Sequence, residues 1–330
     1  ADSVFSHLLY DKNIKINKRI FLTATERRYQ GKSDQILSME DPEIYGETFE
    51  MLSFKEALDA KPPILSDYKI VTLFISRDEI KELVAKNLFV KPDKGKWDKE
   101  VEAEMLASLV ALRKAMEKYP IKKAVSFHSS IARAKSFSAS QDVFTKSFRE
   151  YGELDTFHVT GKLPTSARAK VVQEFTEASR SLITNARCLT EGVDVPNIDC
   201  ILFADPKRST VDIVQAVGRA LRPHKDKEYG YVIIPVLIDK EVNDGEEIDK
   251  EVFGAILTTL RALAADDERI VEYFRSVSQG RQRGKGDSPF EIDLPDGIKI
   301  DVEEFVESVE LKLWDRLAKL SWRSYREARE

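Results

Sequence analysis

Short runs of β-branched and aromatic residues alternate with longer amphipathic segments between Lys69 and Leu237. The short runs predict β-strands, and apolar residues at helical spacing predict helices between them. Strands are predicted at residues 70–75, 124–128, 156–159, 181–184, 200–203 and 231–235. Helices are predicted at residues 99–118, 130–150, 165–178 and 210–221. This alternation predicts an α/β domain in which helices flank a parallel sheet.

The segments on either side of this block have a different pattern. Residues 1–60 contain one predicted strand, at 19–23, followed by a polar stretch, and we interpret them as the end of a preceding domain. Lys61-Pro62-Pro63 predicts a stiff linker, because two successive prolines break a helix. After residue 240 the chain becomes acidic and helical in pattern. We therefore expect domains at 1–60 and 61–240, with a helical accessory extension at 241–330.

Composition narrows the classes of protein that the chain can represent. Its 330 residues are 42% hydrophobic and 33% charged, which is enough for sizeable cores. The net charge of −5 gives no global basic surface, so any nucleic-acid contact has to be local. Two cysteines and four scattered histidines predict neither a disulfide framework nor a metal site. Without a signal peptide or a long apolar run, we expect a cytoplasmic protein.

Two arginines stand three residues apart in the segment Gln215-Ala-Val-Gly218-Arg219-Ala-Leu-Arg222. In a helix this spacing directs both guanidiniums to the same side, and Gln215 lies one turn before Arg219. Guanidinium pairs suit a phosphate whose negative charge rises during phosphoryl transfer. The alternative is a solvated helix whose arginines pair with surface carboxylates.

A second motif lies upstream, in the run Thr184-Asn-Ala-Arg-Cys-Leu-Thr-Glu-Gly-Val-Asp-Val-Pro196. Together the two segments resemble motifs V and VI of the superfamily 2 helicases and translocases, and the resemblance implies a RecA-like fold. It also implies two groups of residues at an ATP site. The catalytic group is Arg219, Arg222 and Gln215, and the nucleotide-binding group is Glu191, Gly192, Asp194 and Gly218. A tight turn without function is the alternative for the run at 191–194.

Other segments follow the order of motifs in the same family. Thr23-Ala24-Thr25 resembles motif III, which implies coupling between nucleotide and nucleic acid, although Glu26 stands where a proline is common. The run at 125–129 resembles motif IV, and Thr160-Gly161 follows the next strand. The implied nucleic-acid contacts are Phe127, His128, Ser129, Thr160, Gly161, Thr184 and Asn185. For His128, a structural hydrogen-bonded histidine is an equal alternative.

The motifs of an ATP-cradling lobe are not found in the sequence. A P-loop requires Gly-x-x-x-x-Gly-Lys-[Ser/Thr], and Gly31-Lys32-Ser33 has Glu26 at the first position. No acidic pair closes a strand before Thr23. The resemblance therefore implies the C-terminal remnant of a first RecA-like lobe and a complete second lobe. We expect a fragment that does not hydrolyse ATP alone, and the missing initiator methionine agrees with that expectation.

Three functional hypotheses follow from the resemblance. The first is an ATP-dependent helicase or translocase that uses ATP and Mg²⁺ to move on duplex DNA, since the run at 190–209 is similar to the restriction-enzyme-like branch of superfamily 2. A nuclease or methyltransferase domain or subunit is then an expected partner. The second hypothesis is an RNA helicase, because phosphate contacts do not distinguish the two nucleic acids. The third is a non-catalytic nucleic-acid or protein-binding module.

Overall fold

The computed structural model describes part of the chain, and its contacts separate two units, Ala1–Leu52 and Ser53–Glu330. The predicted boundary after residue 60 stays a prediction. The residues that the structure describes are 9–10, 12–22, 39, 41–47, 52, 54–85, 99–186, 197–205, 213–214, 216–218, 222–224, 227–238, 259–260, 263, 267, 269–270 and 290–293.

The first unit contains one short helix, α1 (Pro42–Tyr45), among its described residues. Asp41 caps this helix by accepting a hydrogen bond from the Glu43 amide at 3.0 Å. The Gly46 amide donates to the Pro42 carbonyl at 2.9 Å, with a φ of 76° that favours glycine. The ring of Tyr45 packs edge to face on Phe21, with centroids 4.9 Å apart.

The second unit is built on one parallel sheet of seven strands. Its strands are β1 (Asp67–Ser76), β2 (Lys123–Phe127), β3 (Asp155–Val159), β4 (Ser181–Asn185), β5 (Cys200–Phe203), β6 (Tyr229–Ile238) and β7 (Phe290–Asp293). They lie in the order β3-β4-β2-β5-β6-β1-β7. The chain passes from β2 outward to β3, returns to β4 and then crosses β2 to reach β5. Connections after β2 and β4 therefore lead in opposite directions, which is where open α/β sheets place ligands.

Helices connect the strands, because a parallel pair cannot be joined by a tight turn. The described helices of the second unit are α2 (Phe54–Asp59), α3 (Arg77–Ala85), α4 (Lys99–Lys118), α5 (Ile131–Ser147) and α6 (Thr165–Glu177). A 3-10 turn at Arg149–Tyr151 follows α5. The backbone is also helical at 213–214 and 216–218. No helix within these described ranges has the length and apolarity needed to cross a membrane.

Two apolar layers cover the two faces of the sheet. Alternate residues of β2 show the division, since Val125 and Phe127 face one layer and Ala124 faces the other. The first layer includes Phe175 of α6 and buried residues of the helical segment, Ile213, Ala216 and Val217. The second layer receives Leu109 and Leu112 of α4 and Phe137 and Phe144 of α5. The result is a three-layer sandwich with both faces of the sheet buried.

The described residues beyond 240 pack into this domain. Leu260, Leu263 and Ile270 are buried in the first layer, and β7 pairs in parallel with β1 at the border of the sheet. The buried Tyr68 hydroxyl donates to the Asp267 carboxylate at 2.7 Å. Arg269 donates to the carboxylates of Asp267 and Asp67, at 2.7 and 2.9 Å, and its guanidinium lies 5.4 Å from the Tyr68 ring centroid. A charged cluster thus joins the segment at 267–269 to β1.

The six strands predicted between residues 70 and 235 are confirmed, and so is the RecA-like α/β class. The helices predicted at 99–118, 130–150 and 165–178 are confirmed with shorter ends for the last two. The strand predicted at 19–23 is wrong for its described part, 19–22, which has no strand backbone. A strand needs a neighbouring strand, and residues 19–22 belong to no sheet in the described part of the chain. Helices α1, α2 and α3 and strand β7 are additional to the predicted elements.

We predict that Tyr68→Phe lowers the free energy of unfolding by about 1–2 kcal/mol, because the change leaves the buried Asp267 carboxylate short of one donor. Urea titration of the wild type and the variant measures the difference. Tyr229→Phe is the matched control, since its hydroxyl has no hydrogen-bond partner within the described part of the chain. Equal loss in both variants, or none in Tyr68→Phe, would contradict the role of the cluster.

Candidate functional site: the two ends of the sheet

The carboxyl end of β2 leads directly into the residues predicted to bind nucleic acid. Phe127 is fully buried, with its ring centroid 6.1 Å from that of Phe203, so it supports this end from within. The buried His128 ring bonds to the Ser126 hydroxyl at 2.9 Å and packs on Phe137 at 4.8 Å. The His128 amide donates to the Asn185 carbonyl at 2.9 Å. The His128 side chain thus has the surroundings of a structural histidine.

Ser129 is held by a carboxylate from a different strand. Its amide and its hydroxyl both donate to Asp205 Oδ2, at 2.6 and 2.7 Å. The other carboxylate oxygen forms a short ion pair with Arg133, in the first turn of α5. Asp205 is buried and directly follows Ala204 at the end of β5. The carboxylate therefore ties the ends of β2 and β5 together and engages both donors of Ser129.

The neighbouring strands place further predicted residues at the same end. Thr184 and Asn185 close β4 and are 0% exposed, so they lie beneath the surface of this end. Thr184 Oγ1 lies 2.8 Å from His158 Nδ1, across the β3–β4 pair. Burial, with a smaller contribution from Lys135, lowers the pKa of His158 and so disfavours the charged imidazolium. The contact is one hydrogen bond between the imidazole and the threonine hydroxyl, and each of the two groups can serve as its donor.

The start of α6 has the chemistry of an anion site. Thr160 and the exposed Gly161 follow β3, and the Lys162 amide donates to Thr160 Oγ1 at 3.0 Å. Pro164 occupies the cap position of α6 and supplies no side-chain hydrogen bond to the first turn. The first-turn amides carry the positive end of the helix dipole. Thr160, Gly161 and the start of α6 therefore present donors at the carboxyl end of the sheet.

The arginine-bearing segment reaches the opposite end. Gly218 belongs to helical backbone and is half-buried, and the half-buried Arg222 lies shortly before β6. The Arg222 carbonyl accepts a short hydrogen bond from Lys227 Nζ, which also donates to the Ile198 carbonyl at 3.1 Å. Ile198 lies two residues before the amino end of β5, which begins at Cys200. The backbone of Arg222 is therefore anchored at the amino end of the sheet.

The buried carboxylate of Asp199 lies next to the contact between Lys227 and Ile198. The Asp199 oxygens accept from the amides of Lys122 and Lys123, both at 2.9 Å. Burial raises the pKa of Asp199 to about 6, against the stabilising effect of those amides and of Lys227. Burial also lowers the pKa of Lys227 to about 8, while the Asp199 charge opposes that change. Between about pH 6 and pH 8 both groups are therefore charged.

Several predicted site residues lie outside the described part of the chain. They are Thr23, Ala24, Thr25, Glu191, Gly192, Asp194, Gln215 and Arg219. Their assignments stay predictions, as do the ligand contacts assigned to the described residues. Among the described residues, no cluster of three or more histidine, cysteine, aspartate or glutamate side chains forms a potential metal site.

The structure adds residues to which the sequence assigned no role. Asp205 follows β5 as Ser129 follows β2, so its position just beyond a strand end was an available signal. Lys227 lies in a polar stretch, Pro223-His-Lys-Asp-Lys227, that has the composition of a solvated loop. Its partner Ile198 is 29 residues away. Local sequence carries no signal for such a contact.

Known proteins share both the sequence pattern and the fold. Residues 104–224 match the helicase conserved C-terminal domain. The chain is 26% identical over 285 residues to "Probable helicase A859L" of African swine fever virus (isolate Pig/Kenya/KEN-50/1950), covering 83% of this chain and 28% of the relative. It is 32% identical over 152 residues to "Putative ATP-dependent helicase IRC3" of Saccharomyces cerevisiae (strain ATCC 204508 / S288c), covering 38% of this chain and 22% of the relative.

A solved structure extends the similarity to nearly the whole chain. The "ATP-dependent Type ISP restriction-modification enzyme LlaBIII bound to DNA" aligns with a TM-score of 0.67 and 25% identity. The alignment covers 98% of this chain and 22% of that one. This chain thus spans between a fifth and a third of the length of these relatives. The resemblance to the C-terminal lobe of superfamily 2 helicases is confirmed.

We predict a distinctive effect of pH on stability from Asp199. The pKa of Asp199 is raised from 3.8 to about 6 in the folded protein. The stability that the protonated carboxyl contributes is therefore fully present below pH 3.8 and is lost as pH rises through about 6. Relative to Asp199→Asn, the wild type should lose about 3 kcal/mol of unfolding free energy across this range. Denaturant titrations between pH 4 and pH 7 measure it, with the exposed Asp78→Asn as control. Parallel pH profiles for wild type and Asp199→Asn would contradict the assignment.

Proposed function

We propose that this chain, which carries the conserved C-terminal domain of helicases, is the second-lobe part of an ATP-dependent DNA helicase or translocase. Its motor activity is of the kind that restriction-modification enzymes use on duplex DNA. Residues 61–240 form the second RecA-like lobe, and residues 241–330 form an accessory extension whose described part adds strand β7 and buried apolar residues to that lobe. ATP hydrolysis at the junction with a first lobe drives movement along the nucleic acid.

The observation that carries this proposal is the arrangement of donors at the carboxyl end of the sheet. Thr160, Gly161 and the first turn of α6 present hydroxyl and amide hydrogens without a side-chain cap. Asp205 fixes the adjacent motif IV loop through Ser129 and Arg133. Such an edge suits a row of backbone phosphates and requires no base contacts. The net charge of −5 agrees with local recognition of this kind.

The nucleotide side of the proposal rests on motifs V and VI. Arg222 has the donor chemistry for a terminal phosphate, is partly exposed and has an anchored backbone. Gln215 and Arg219 lie one turn apart in the predicted helix, and Arg222 follows directly after it. Glu191, Gly192, Asp194 and Gly218 complete the contribution of this lobe to the nucleotide. Bound MgATP supplies the phosphoryl group, and the two guanidiniums stabilise charge that develops on it.

Exposed apolar residues in the first unit support the proposal that a first RecA-like lobe adjoins it. Ile20 and Leu22 are 70% and 89% exposed. Two large apolar side chains exposed so close together suit a surface that a further part of the protein would cover. We infer that residues 1–60 are the C-terminal part of a first RecA-like lobe, with Thr23 and Thr25 linking nucleotide and nucleic-acid sites.

We favour duplex DNA as the nucleic acid on which the protein moves. The restriction-modification enzyme whose structure aligns with 98% of this chain is bound to DNA. A restriction-type motor works with a nuclease or methyltransferase, and we propose such a domain or subunit as its partner.

We predict that the complete product of the gene encoding this chain has ATPase activity that duplex DNA stimulates. Arg219→Ala and Arg222→Ala should each lower kcat roughly a thousandfold, the loss typical of an arginine finger, while ATP binding persists. Steady-state ATPase assays with matched duplex DNA and RNA measure the stimulation. Binding of a fluorescent ATP analogue measures the retained affinity.

The control is Arg149→Ala, which removes an exposed guanidinium from the 3-10 turn after α5. This variant should retain wild-type turnover. Stimulation of the ATPase by RNA alone would indicate that the protein moves on RNA and not on DNA. Absence of stimulated turnover with any nucleic acid would overturn the motor and favour a binding module.

A further inference from the structure

One lysine bridges two backbone segments that belong to different motifs. Lys227 Nζ donates to the Arg222 carbonyl and to the Ile198 carbonyl, the second at 3.1 Å. Its own amide donates to the His224 carbonyl at 3.1 Å, which closes a turn just before β6. The turn thus fixes the backbone of Lys227, and its ammonium bonds to two other stretches of the chain.

The two bridged carbonyls are informative because of their neighbours in sequence. Ile198 lies four residues after Asp194, in the segment that leaves motif V. Arg222 is the last residue of the motif VI pattern, directly after the helix predicted at 210–221. Lys227 therefore joins the exit of one nucleotide-facing motif to the end of the other.

The electrostatic surroundings favour a cation at this point. Both bridged carbonyl oxygens carry partial negative charge, which an ammonium complements. The buried Asp199 carboxylate adjoins Ile198 and favours the charged form of the lysine. Burial lowers the pKa of Lys227 to about 8, so the ammonium is retained at neutral pH. The bridge is consequently charged under the conditions in which a motor would work.

We propose that Lys227 is a positioning residue for Arg222. It fixes the backbone from which the arginine side chain extends, and it holds that backbone in register with the end of motif V. This inference rests on the proposed function, in which Arg222 contacts the terminal phosphate. Lys227 itself touches neither nucleotide nor nucleic acid, so its effect on turnover passes through Arg222.

A double-mutant cycle in the complete gene product tests the inference. Its members are wild type, Lys227→Met, Arg222→Ala and the double variant. Alone, Lys227→Met should lower kcat for ATP roughly tenfold to a hundredfold, the range that misplacement of a catalytic group produces. In the Arg222→Ala background it should cause no further loss, because the residue on which it acts is gone. Lys227→Arg, which can reach two carbonyls, should recover most of the activity.

Lys122→Met is the matched control, because its exposed ammonium lies at the same end of the sheet. It should retain wild-type kcat. Affinity for duplex DNA without nucleotide should be unchanged in Lys227→Met. Should Lys227→Met fail to fold, Lys227→Gln, which keeps an uncharged amide donor group on a shorter side chain, takes its place in the cycle.

Two results would overturn the inference while leaving the proposed function intact. One is an equal loss of kcat from Lys227→Met in both backgrounds, which would show that the lysine acts independently of Arg222. The other is an unchanged kcat with a lowered unfolding temperature, which would show a purely structural bridge. If the wild type shows no stimulated ATPase, or if Arg222→Ala has no effect, the proposed function itself fails.

Discussion

Parallel strand pairing is the constraint on which the rest of the domain depends. Every strand of the sheet runs in the same direction, so each connection has to cross from one end to the other, mostly through a helix. The carboxyl ends of the strands consequently collect at one end with the N-termini of helices. The opposite end collects helix C-termini and the entrances to the strands. Two chemically different ends follow from one hydrogen-bonding pattern.

Three cationic side chains follow this polarity. At the end where helices finish, cations bond to backbone carbonyls. Lys123 donates to the Phe175 carbonyl near the end of α6, and Arg180 to the Met116 carbonyl near the end of α4. Lys227 does the same for Arg222 and Ile198. At the other end, Ser130 caps the first turn of α5, and α6 begins without a side-chain cap. Helix dipoles therefore favour anions at one end and cations at the other.

The sequence was informative where local pattern decides the structure. Buried β-branched runs such as those at 181–184 and 231–235 predicted strands, because a buried parallel strand is almost continuously apolar. The strand predicted at 19–23 failed in its described part, since pairing depends on neighbours and not on composition. Strand β7 was not predicted, because its four residues, Phe290–Asp293, are too few for a periodic signal. The contacts of Asp205 with Ser129 and of Lys227 with Ile198 were not predicted either, since each joins residues distant in sequence.

We propose that this lobe binds nucleic acid at one end of the sheet while Arg219 and Arg222 contact the nucleotide, and that the sheet couples the two sites. Coupling between two sites is reciprocal, so nucleotide state has to change affinity for the track. The most direct measurement is the Kd of the complete gene product for duplex DNA, with ADP and with a non-hydrolysable ATP analogue. The account predicts that the two Kd values differ by about fivefold or more, with the same ratio for nucleotide affinity with and without DNA. Identical Kd values in both nucleotide states would contradict it.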